Sequence, residues 1–478
     1  MLFNSFSFLI FFPTICLLYF ACPHRMRWLL LLVASYFFYM NWVPIYALLL
    51  FASTAITYII ALLIERSNEK SSKKAYLSVS LALNFGILFF YKYFNFVNES
   101  VYNMLSHFDV RWEIPNLKLL LPVGISFYIF QAVGYSIDVY RGNIKAEKHF
   151  GIYALFVSFF PQLVAGPIER ARNLLPQFKE KHFFDNERVA KGLKLMMWGF
   201  FMKLVVADRL SLYVDSVFNN VEHHNGASLL LGTFFFTFQI YGDFAGYSYI
   251  AIGAAKVMGF NLMTNFNHPY LASSIKEFWN RWHISLSTWF QDYVYISLGG
   301  NRVSFVRWQF NLLVTFLVSG IWHGANWTFV IWGVLHGMFL ITSNSIKKFL
   351  PGLADIVFLR TIDKGTSKLI GVISNFLLVS LTWIFFRANN VPDAFTILAK
   401  ITDLRNTPYS GGNGSFMFYA FAAIGFLMVV EVVREFFPKI NLLEHELIGV
   451  RYASYAVLVI AILTVGVFDG GQFIYFQF

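Results

Sequence analysis

The chain has 478 residues, of which 57% are hydrophobic and only 13% are charged, with a net charge of +11 and a mean hydropathy of +0.57. A soluble domain carries about 25% charged residues, so these figures exclude a soluble globular protein, a disordered chain and a small disulfide scaffold. The basic residues lie between long apolar runs, a pattern that indicates membrane orientation and not nucleic-acid binding. We therefore predict an all-α, polytopic membrane protein.

Apolar runs that approach or exceed the length needed to cross a bilayer, about 20 residues, recur along the whole chain. In chain order, the predicted spans are Phe3–Phe20, Trp28–Asn41, Ile45–Ile64, Tyr76–Asn95, Leu119–Tyr140, Lys194–Val214, Leu229–Gly259, Trp308–Gly320, Asn326–Thr342, Leu369–Phe386, Phe416–Val433 and Ala453–Phe468. About twelve spans result. A further apolar run, Ile152–Ala165, lies between two basic segments and is predicted to be re-entrant or interfacial.

Lysine and arginine concentrate in cytoplasmic loops, so their distribution predicts the orientation of the spans. The basic loops contain, in chain order, His24, Arg25 and Arg27, then Arg66, Lys70, Lys73 and Lys74, then Arg141, Lys145, Lys148, Arg170, Arg172, Lys179, Lys181 and Arg188, then Lys347, Lys348, Arg360, Lys364 and Lys368, and finally Arg434 and Lys439. Counting from either end of the chain places both termini outside. The chain shows no repeat and no linker, which predicts one membrane domain over residues 1–478.

Ionisable groups inside membrane segments are costly and are therefore candidates for function. The densest group begins with Gln239, Asp243 and Tyr247. In the next segment, aromatic and apolar side chains recur at helical spacing, which predicts an amphipathic or re-entrant helix ending at a Gly299-Gly300 turn. The side chains of this pattern are Trp279, Trp282, His283, Leu286, Trp289 and Phe290.

His323 lies in the middle of an apolar segment of about 35 residues that runs between two basic loops. A segment of this length that starts and ends inside is predicted to be a hairpin or a broken helix with His323 near its apex. If the helix continued, Asn326 and Trp327 would share its face with His323. Gly320 and Gly324 would allow the two arms to pack closely.

A lone histidine inside the membrane has two explanations, and both stay open for His323. Neutral imidazole is a competent general base near pH 7, able to deprotonate a hydroxyl that attacks a thioester or an ester. Alternatively, His323 holds two helices together through a hydrogen bond to Asn326 or a carbonyl. For His283 and His336 the pattern favours the structural role, and the pair His223-His224 is expected in a solvated outer loop.

Metal and nucleotide chemistry find no support in the sequence. The only cysteines are Cys16 and Cys22, and no cysteine or carboxylate has ligand spacing around the histidines, so no metal site is predicted. Phosphate-binding glycine loops, the dinucleotide fingerprint and the serine-hydrolase elbow are absent from the sequence.

Several segments, taken in order, resemble the membrane-bound O-acyltransferase family. They are LPVGISFYIFQAVGYSIDVYRG (121–142), FPQLVAGPIER (160–170), FNHPYLASSIKEFWNRWHISLSTWFQDYVYISLGGNR (266–302), SGIWHGANWTFVIWGVLHG (319–337), WIFFRA (383–388) and the terminal FIYFQF. Within the family they are most similar to the membrane subunits of alginate and peptidoglycan O-acetyltransferases. Proteins of teichoic-acid D-alanyl transfer are more distant relatives.

The resemblance implies a helical fold around a central funnel, with a catalytic core over about 120–345 and a C-terminal span and aromatic tail over about 449–478. It implies that acetyl-CoA on the cytoplasmic side donates the acyl group as a substrate, with no bound cofactor. The family's essential histidine matches His323, and its second, more variable polar position matches His283. Asp243 and Asn326 would orient groups or form hydrogen bonds, and Trp327 would line the substrate site.

This sequence differs from the alginate and peptidoglycan branch at four positions, which affect the expected acyl-donor site and the choice of partner protein. Tyr249 stands where this branch commonly has Asp, Asn280 and Gln291 where it has Arg, and Ser297 where it has Pro. The resemblance also implies an inner-membrane location, a polysaccharide acceptor and a periplasmic partner protein for the final transfer. Arg281 and Arg302 could attract the phosphates of CoA, or they could be positive-inside anchors.

The C-terminal aromatic tail, residues 473–478, suggests a covalent intermediate. A related teichoic-acid system has a small protein that ends in a similar tyrosine motif, which leads to the hypothesis that Tyr475 is an acyl relay activated by His323. Tyrosine has a pKa of about 10 and needs such activation. An aromatic interface anchor explains Tyr475 equally well.

Two other functions fit parts of the sequence. A transporter would also use broken helices and midplane polar groups, but it would release no free CoA. An acyltransferase with another acceptor, such as one that transfers D-alanine to teichoic acid, would use a carrier-protein donor.

Overall fold

The computed structural model describes residues 1–352, 363–411, 414–440, 442–468 and 473–474. Within these ranges the chain is helical and contains no β-strand. The α-helices are α1 (Phe6–Ala21), α2 (His24–Met40), α3 (Ala47–Arg66), α4 (Lys70–Leu88), α5 (Phe94–Ser106), α6 (Ile125–Tyr140), α7 (Phe150–Ser158), α8 (Phe160–Leu163), α9 (Ala171–Gln177), α10 (Asn186–Phe200), α11 (Asp208–Phe218), α12 (Gly226–Met258), α13 (Ile275–Arg281), α14 (Ile284–Phe290), α15 (Phe305–His323), α16 (Trp327–Phe349), α17 (Lys364–Arg387), α18 (Val391–Lys400), α19 (Gly414–Phe436) and α20 (Ile448–Val465).

Short π-helical and 3₁₀ segments connect or extend these helices. The π-helical segments are Phe89–Tyr93, Phe201–Ala207 and Gln291–Tyr295, and the 3₁₀ turns are Pro44–Tyr46, Val221–His223, Pro269–Leu271 and Leu442–Glu444. A π-helical turn is uncommon and often marks a functional position, because it widens the helix and leaves a backbone carbonyl outside the regular pattern.

Seven helices in the described part of the chain are long and apolar enough to cross a membrane. They are Pro44–Arg66, Lys70–Ser106, Phe305–His323, Trp327–Phe349, Lys364–Arg387, Gly414–Phe436 and Ile448–Val465. Each coincides with a predicted span, and Phe6–Ala21 is a shorter apolar helix at the position of the first one. The remaining four predicted spans are helical but fall below this criterion, so the count of twelve stays a prediction.

Contacts divide the chain into two compact units, one of residues 1–196 with 250–263 and the other of residues 197–249 with 264–478. In the first unit, the run Ile152–Ala165 forms α7 and α8, which are separated by a break at Phe159 and buried along nearly their whole length. The prediction that this run is re-entrant or interfacial stays a prediction. The residues that carry the candidate chemistry lie in the second unit.

Glycines set the geometry of the hairpin formed by α15 and α16. A Cβ on Gly320 would overlap the carbonyl oxygen of Phe329 and lie 3.1 Å from the Cα of Gly333. Likewise, a Cβ on Gly324 would overlap the Phe329 ring. The two arms therefore approach to backbone contact only because these positions lack side chains, as in the small-residue packing of membrane helices. The predicted hairpin, with His323 at its apex, is confirmed.

The segment between α12 and α15 differs from its prediction. The aromatic spacing predicts a single helix, but the structure contains two short helices, α13 and α14, which are separated at Trp282-His283. His283 adopts a left-handed backbone (φ 44°, ψ 53°), which a continuing helix cannot contain. The predicted turn is present, because Gly299 and Gly300 have φ values of 105° and 58°. The prediction of one continuous helix in this segment was therefore wrong.

Candidate active site

His323 is the last residue of α15 and is almost completely buried, with 2% of its surface exposed. Its imidazole packs edge-on against aromatic rings of Trp322, Trp332 and Phe386, at centroid distances of 4.9, 5.0 and 5.3 Å. Three helices supply this environment, since Trp332 lies on α16 and Phe386 lies on α17. The result is an imidazole buried among aromatic rings at the turn of the hairpin.

His283 is also fully buried, and its unusual backbone is held by a neighbouring loop. The backbone carbonyl of Asn265 accepts the N–H of Ile284 at 2.9 Å, and its side-chain carbonyl accepts the hydroxyl of Ser285 at 2.9 Å. The Asn265 amide in turn donates to Ser248 on α12 at 3.1 Å. These bonds fix the start of α14 and therefore the direction of the His283 side chain.

The two imidazoles lie beside each other, with ring centroids 6.3 Å apart. Both side chains are buried, and an apolar environment disfavours the imidazolium cation because it solvates a charge poorly. A neutral imidazole accepts a proton, which is the property required of a general base. Among the described residues, no group of three or more His, Cys, Asp or Glu could hold a metal ion. Two buried imidazoles that lie beside each other are chemically suited to proton transfer.

Asp243 on α12 belongs to a buried triad of charges with Lys203 and Asp208. The Lys203 ammonium lies 2.6 Å from the carboxylate of Asp243 and 2.7 Å from that of Asp208, and all three side chains are about 5% exposed. The second oxygen of Asp243 accepts the backbone N–H of Ile474 at 2.6 Å. Asp243 therefore contacts the C-terminal segment of the chain.

The two described residues of that segment lie against the site. Phe473 packs on Tyr247 and on Phe244, with ring centroids 4.7 and 5.8 Å apart, and Phe244 also contacts His283 at 4.5 Å. A single aromatic ring thus touches both the C-terminal segment and one of the two histidines. The proposed relay residue, Tyr475, lies outside the described residues.

Asn326 and Trp327 do not share a helical face with His323, contrary to the prediction. The helix ends at His323, and Asn326 begins α16 in an extended conformation, where its side chain accepts the N–H of Thr328 at 3.0 Å. Trp327 is 53% exposed. The physical reason is the glycine-containing turn, which stops α15 before these two residues. Their participation in substrate binding stays a prediction.

The two arginines predicted at the donor side have different environments. Arg281 forms a two-bond ion pair with Glu435, at 2.9 Å for each bond, and a second ion pair with Glu277 at 2.8 Å. Arg302 is exposed beside the Gly299-Gly300 turn. Because Glu435 neutralises Arg281 in a bidentate pair, this arginine has less free charge to offer to a phosphate than the sequence indicates.

A cavity of about 450 Å³ lies between α13, α14, α15 and α16. Lys276 and Lys347 are among its lining residues, together with asparagine and serine side chains and several aromatic rings. Ser319, one helical turn before His323, and Leu286, one turn after His283, also line it. The cavity therefore extends from two lysines to within one turn of each histidine.

The third histidine of this region has a structural environment, as the sequence pattern favoured. His336 on α16 is buried, with Nε2 lying 3.0 Å from the hydroxyl of Thr382 and Nδ1 lying 3.3 Å from the indole nitrogen of Trp279. These bonds join α13, α16 and α17. His336 consequently holds the helices around His323 together.

Sequence reasoning missed four charged residues that the structure brings to the site region. Lys203 and Asp208 fall inside the predicted span Lys194–Val214, where ionisable groups are expected to be functional, and this signal was available. Lys347 was counted only as part of a basic inner loop and Lys276 was not singled out, and nothing in their spacing distinguishes them from other lysines. Only the packing of α13 against α16 places them at one cavity.

Comparisons with known proteins identify the family. The sequence model of the membrane-bound O-acyltransferase family matches residues 149–386. The chain is 40% identical to the probable alginate O-acetylase AlgI of Azotobacter vinelandii, over 84% of this chain and 78% of the relative. It is 34% identical to that of Pseudomonas putida over the full length of both, and 35% identical to the peptidoglycan O-acetyltransferase of Helicobacter pylori over 78% of this chain and 73% of the relative. The chain is therefore a member of the membrane-bound O-acyltransferase family, and its activity is that of an acyltransferase.

Proposed function

We propose that the protein transfers acetyl groups from cytoplasmic acetyl-CoA across the bacterial inner membrane, for O-acetylation of an extracytoplasmic polysaccharide such as alginate or peptidoglycan. The observation that carries this proposal is the pair of buried imidazoles of His283 and His323, 6.3 Å apart at the apex of a glycine-packed hairpin. The names of the two relatives that act on alginate and peptidoglycan support the acetyl group and the acceptor class.

The cavity between α13 and α16 is the proposed donor site. CoA carries several phosphate charges at one end and a thioester at the other, with amide groups between them. The lysines Lys276 and Lys347 supply positive charge, and asparagine and serine side chains supply hydrogen bonds along the cavity. Because the cavity reaches Ser319 and Leu286, CoA bound in it would have its thioester directed toward the two histidines.

In the proposed first step, the Tyr475 hydroxyl attacks the thioester carbonyl. The His323 imidazole removes the phenolic proton as the C–O bond forms, the C–S bond breaks, and the CoA thiolate leaves and takes the proton from the imidazolium. The bond between Asp243 and Ile474 supports this role, because Ile474 directly precedes Tyr475 in the chain. His283 would keep the donor side of the pocket apolar and position the thioester.

In the proposed second step, an acceptor hydroxyl on the outer side attacks the acetyl-Tyr475 ester, and the phenol leaves with the acceptor's proton. A periplasmic partner protein carries the acetyl group to the polymer in this account. Extracytoplasmic termini, as predicted from the loop charges, place Tyr475 on the side where the acceptor lies.

Base-labile acetate on the cell-wall and secreted polysaccharide fractions tests the function. We compare wild type, a deletion and His323→Ala, with His223→Ala in the outer loop as a matched histidine control, all at equal membrane levels. Loss of acetate in the deletion and in His323→Ala, but not in His223→Ala, is expected, and the affected fraction identifies the acceptor. Retained acetate in His323→Ala would contradict the proposed chemistry.

The donor and the relay need separate measurements. Inside-out vesicles supplied with acetyl-CoA are expected to release free CoA, whereas a transporter releases none and a D-alanyl transferase requires a loaded carrier protein. Mass spectrometry of the C-terminal peptide is expected to detect acetyl-Tyr475. Absence of this adduct, together with full activity in Tyr475→Phe, would remove the relay while leaving acetyl transfer intact.

A further inference from the structure

We infer that the buried carboxylate of Asp243 is an anchor that holds the C-terminal segment of the chain beside the catalytic histidines, with Lys203 as the residue that orients it. By holding this segment, Asp243 would act as a positioning residue for the proposed acyl relay. This role in the relay rests on the proposed function. The anchoring contact itself is independent of it.

Three polar contacts tie Val465, Val467 and Ile474 to α11, to the π-helical segment Phe201–Ala207 and to α12, respectively. The guanidinium of Arg209 donates to the carbonyl oxygen of Val465, with Nε at 3.0 Å, and the carbonyl of Leu204 accepts the N–H of Val467 at 3.0 Å. The third contact is the 2.6 Å bond between Asp243 and the Ile474 N–H. Such contacts are therefore present both at the end of α20 and at the last described residues.

The π-helical segment Phe201–Ala207 explains why the backbone can take part. A π-helical turn places carbonyls outside the regular α-helical pattern, and Leu204 lies in the middle of this segment. Its carbonyl accepts the N–H of Val467. The same segment carries Lys203, whose ammonium reaches Asp243 on α12. This π-helical segment thus provides both the carbonyl that accepts the Val467 N–H and the ammonium group that orients Asp243.

The geometry of Asp243 favours a hydrogen-bond donor from outside the triad. The Lys203 ammonium contacts one carboxylate oxygen of Asp243, and the second oxygen is the one that accepts the Ile474 N–H. A buried carboxylate is costly unless hydrogen bonds and charges satisfy it, and a donor to an ionised acceptor forms a strong bond. The N–H of Ile474 is such a donor.

The anchor lies close to the histidine pair through one shared ring. Phe244, the residue after Asp243, contacts His283 at a centroid distance of 4.5 Å and Phe473 at 5.8 Å. Fixing Ile474 at Asp243 thus also fixes the segment relative to His283. Release of the anchor is expected to raise the apparent KM of the second transfer little but to lower the rate of acyl-tyrosine formation.

The test measures the exposure of position 474 directly. Cys16 and Cys22 are replaced by Ser, and Ile474→Cys is introduced, because the bond to Asp243 uses the backbone N–H and survives this change. A maleimide then labels Cys at position 474 in membranes. Because the Ile474 side chain is buried, labelling of the anchored tail is expected to be slow.

Two substitutions in the triad separate anchoring from folding. Asp243→Leu removes the tail acceptor and leaves a neutral Lys203–Asp208 pair, so no buried charge is left uncompensated. Asp208→Asn is the matched control, because it removes the other carboxylate and keeps both Asp243 and the tail bond. We expect labelling to accelerate at least about tenfold in Asp243→Leu, the loss of one charge-assisted hydrogen bond, and to stay unchanged in Asp208→Asn.

Equal labelling rates in Asp243→Leu and the parent protein, with both eluting as folded monodisperse protein, would overturn the anchor whatever the enzyme activity. Equal acceleration in both variants would also overturn it, because a purely structural triad predicts that result. If labelling is faster in Asp243→Leu alone and Tyr475→Phe has full activity, Asp243 anchors the C-terminal segment but Tyr475 is not an acyl relay.

Discussion

Gly320 and Gly333 face each other across the α15–α16 hairpin so closely that a Cβ built on Gly333 would lie 3.0 Å from the Cα of Gly320. This contact holds the two arms together about one helical turn from His323, the last residue of α15. The position of the His323 side chain therefore depends on two residues that have no functional groups.

Replacing Gly320 with Leu is expected to separate the arms of the hairpin and to abolish activity, because the new side chain would overlap the carbonyl oxygen of Phe329. The loss of stability is expected to be at least about 3 kcal/mol, in the range for a strongly overpacked core. Thermal unfolding in detergent measures it. Gly425→Ala is the control, since nothing lies within 4 Å of a Cβ there; equal effects at both positions would contradict the close approach.

The buried Glu169 predicts how stability depends on pH. Burial raises the pKa of Glu169 from 4.5 to about 7, against the opposing effect of backbone N–H donors such as Met263. A raised pKa in the folded state means a contribution that is fully present below pH 4.5 and is lost as the pH rises through about 7. The size is up to about 3 kcal/mol, at roughly 1.4 kcal/mol for each pKa unit.

Melting temperatures measured between pH 5 and pH 8 test this dependence. Glu169→Gln removes the titrating group and keeps an oxygen acceptor, so its melting temperature is expected to fall less than that of the wild type over this range. Glu180→Gln, at an exposed position in the same unit, is expected to behave like the wild type. Parallel curves for the wild type and Glu169→Gln would show that Glu169 does not titrate in this range.

The lysines of the donor cavity are expected to affect substrate affinity and not the chemical step. In the double variant Lys276→Gln, Lys347→Gln, the KM for acetyl-CoA is expected to rise about threefold to tenfold with kcat unchanged, because solvent-accessible charges contribute modestly and are screened by salt. Lys73→Gln, in a different basic loop, is the control. An unchanged KM at low ionic strength would exclude this cavity as the site of the CoA phosphates.

Asn326 distinguishes a helix cap from a substrate ligand. Its side chain caps α16 by accepting the Thr328 N–H at 3.0 Å, and its amide donates to the carbonyl of Asn389 at 3.0 Å. Asn326→Ala is expected to cost about 1 kcal/mol of stability, the usual value of an N-cap, and Asn326→Ser to restore most of it. A KM change that Ser does not rescue would favour the predicted substrate contact instead.

The hairpin and its buried histidine could be predicted from the sequence because the signals are local. Basic loops flank the apolar segment on both sides, and its length requires a turn between two arms. Glycines mark the positions where the two arms pack against each other. His323 stands out in such a segment because ionisable groups are rare there. The seven helices that could span the membrane follow from the same local property, the apolar character of about 20 consecutive residues.

Other parts of the site depend on contacts between distant residues and could not be predicted. The left-handed backbone of His283 is held by Asn265, in a loop outside the helical pattern that predicts continuity. In the same way, the pairing of Lys203 with Asp243 and the bond from Asp243 to Ile474 join residues far apart in sequence. Neither helical periodicity nor loop charge contains this information.

The most direct test of the account is the single-turnover release of CoA by the purified chain in lipid nanodiscs without acceptor. If Tyr475 takes the acetyl group with His323 as base, wild type releases a burst of CoA that is stoichiometric with the protein. His323→Ala is expected to slow this burst by a factor of about 10² to 10⁴, the usual contribution of a general base. A burst of unchanged rate in His323→Ala would contradict the assignment of His323 as the base.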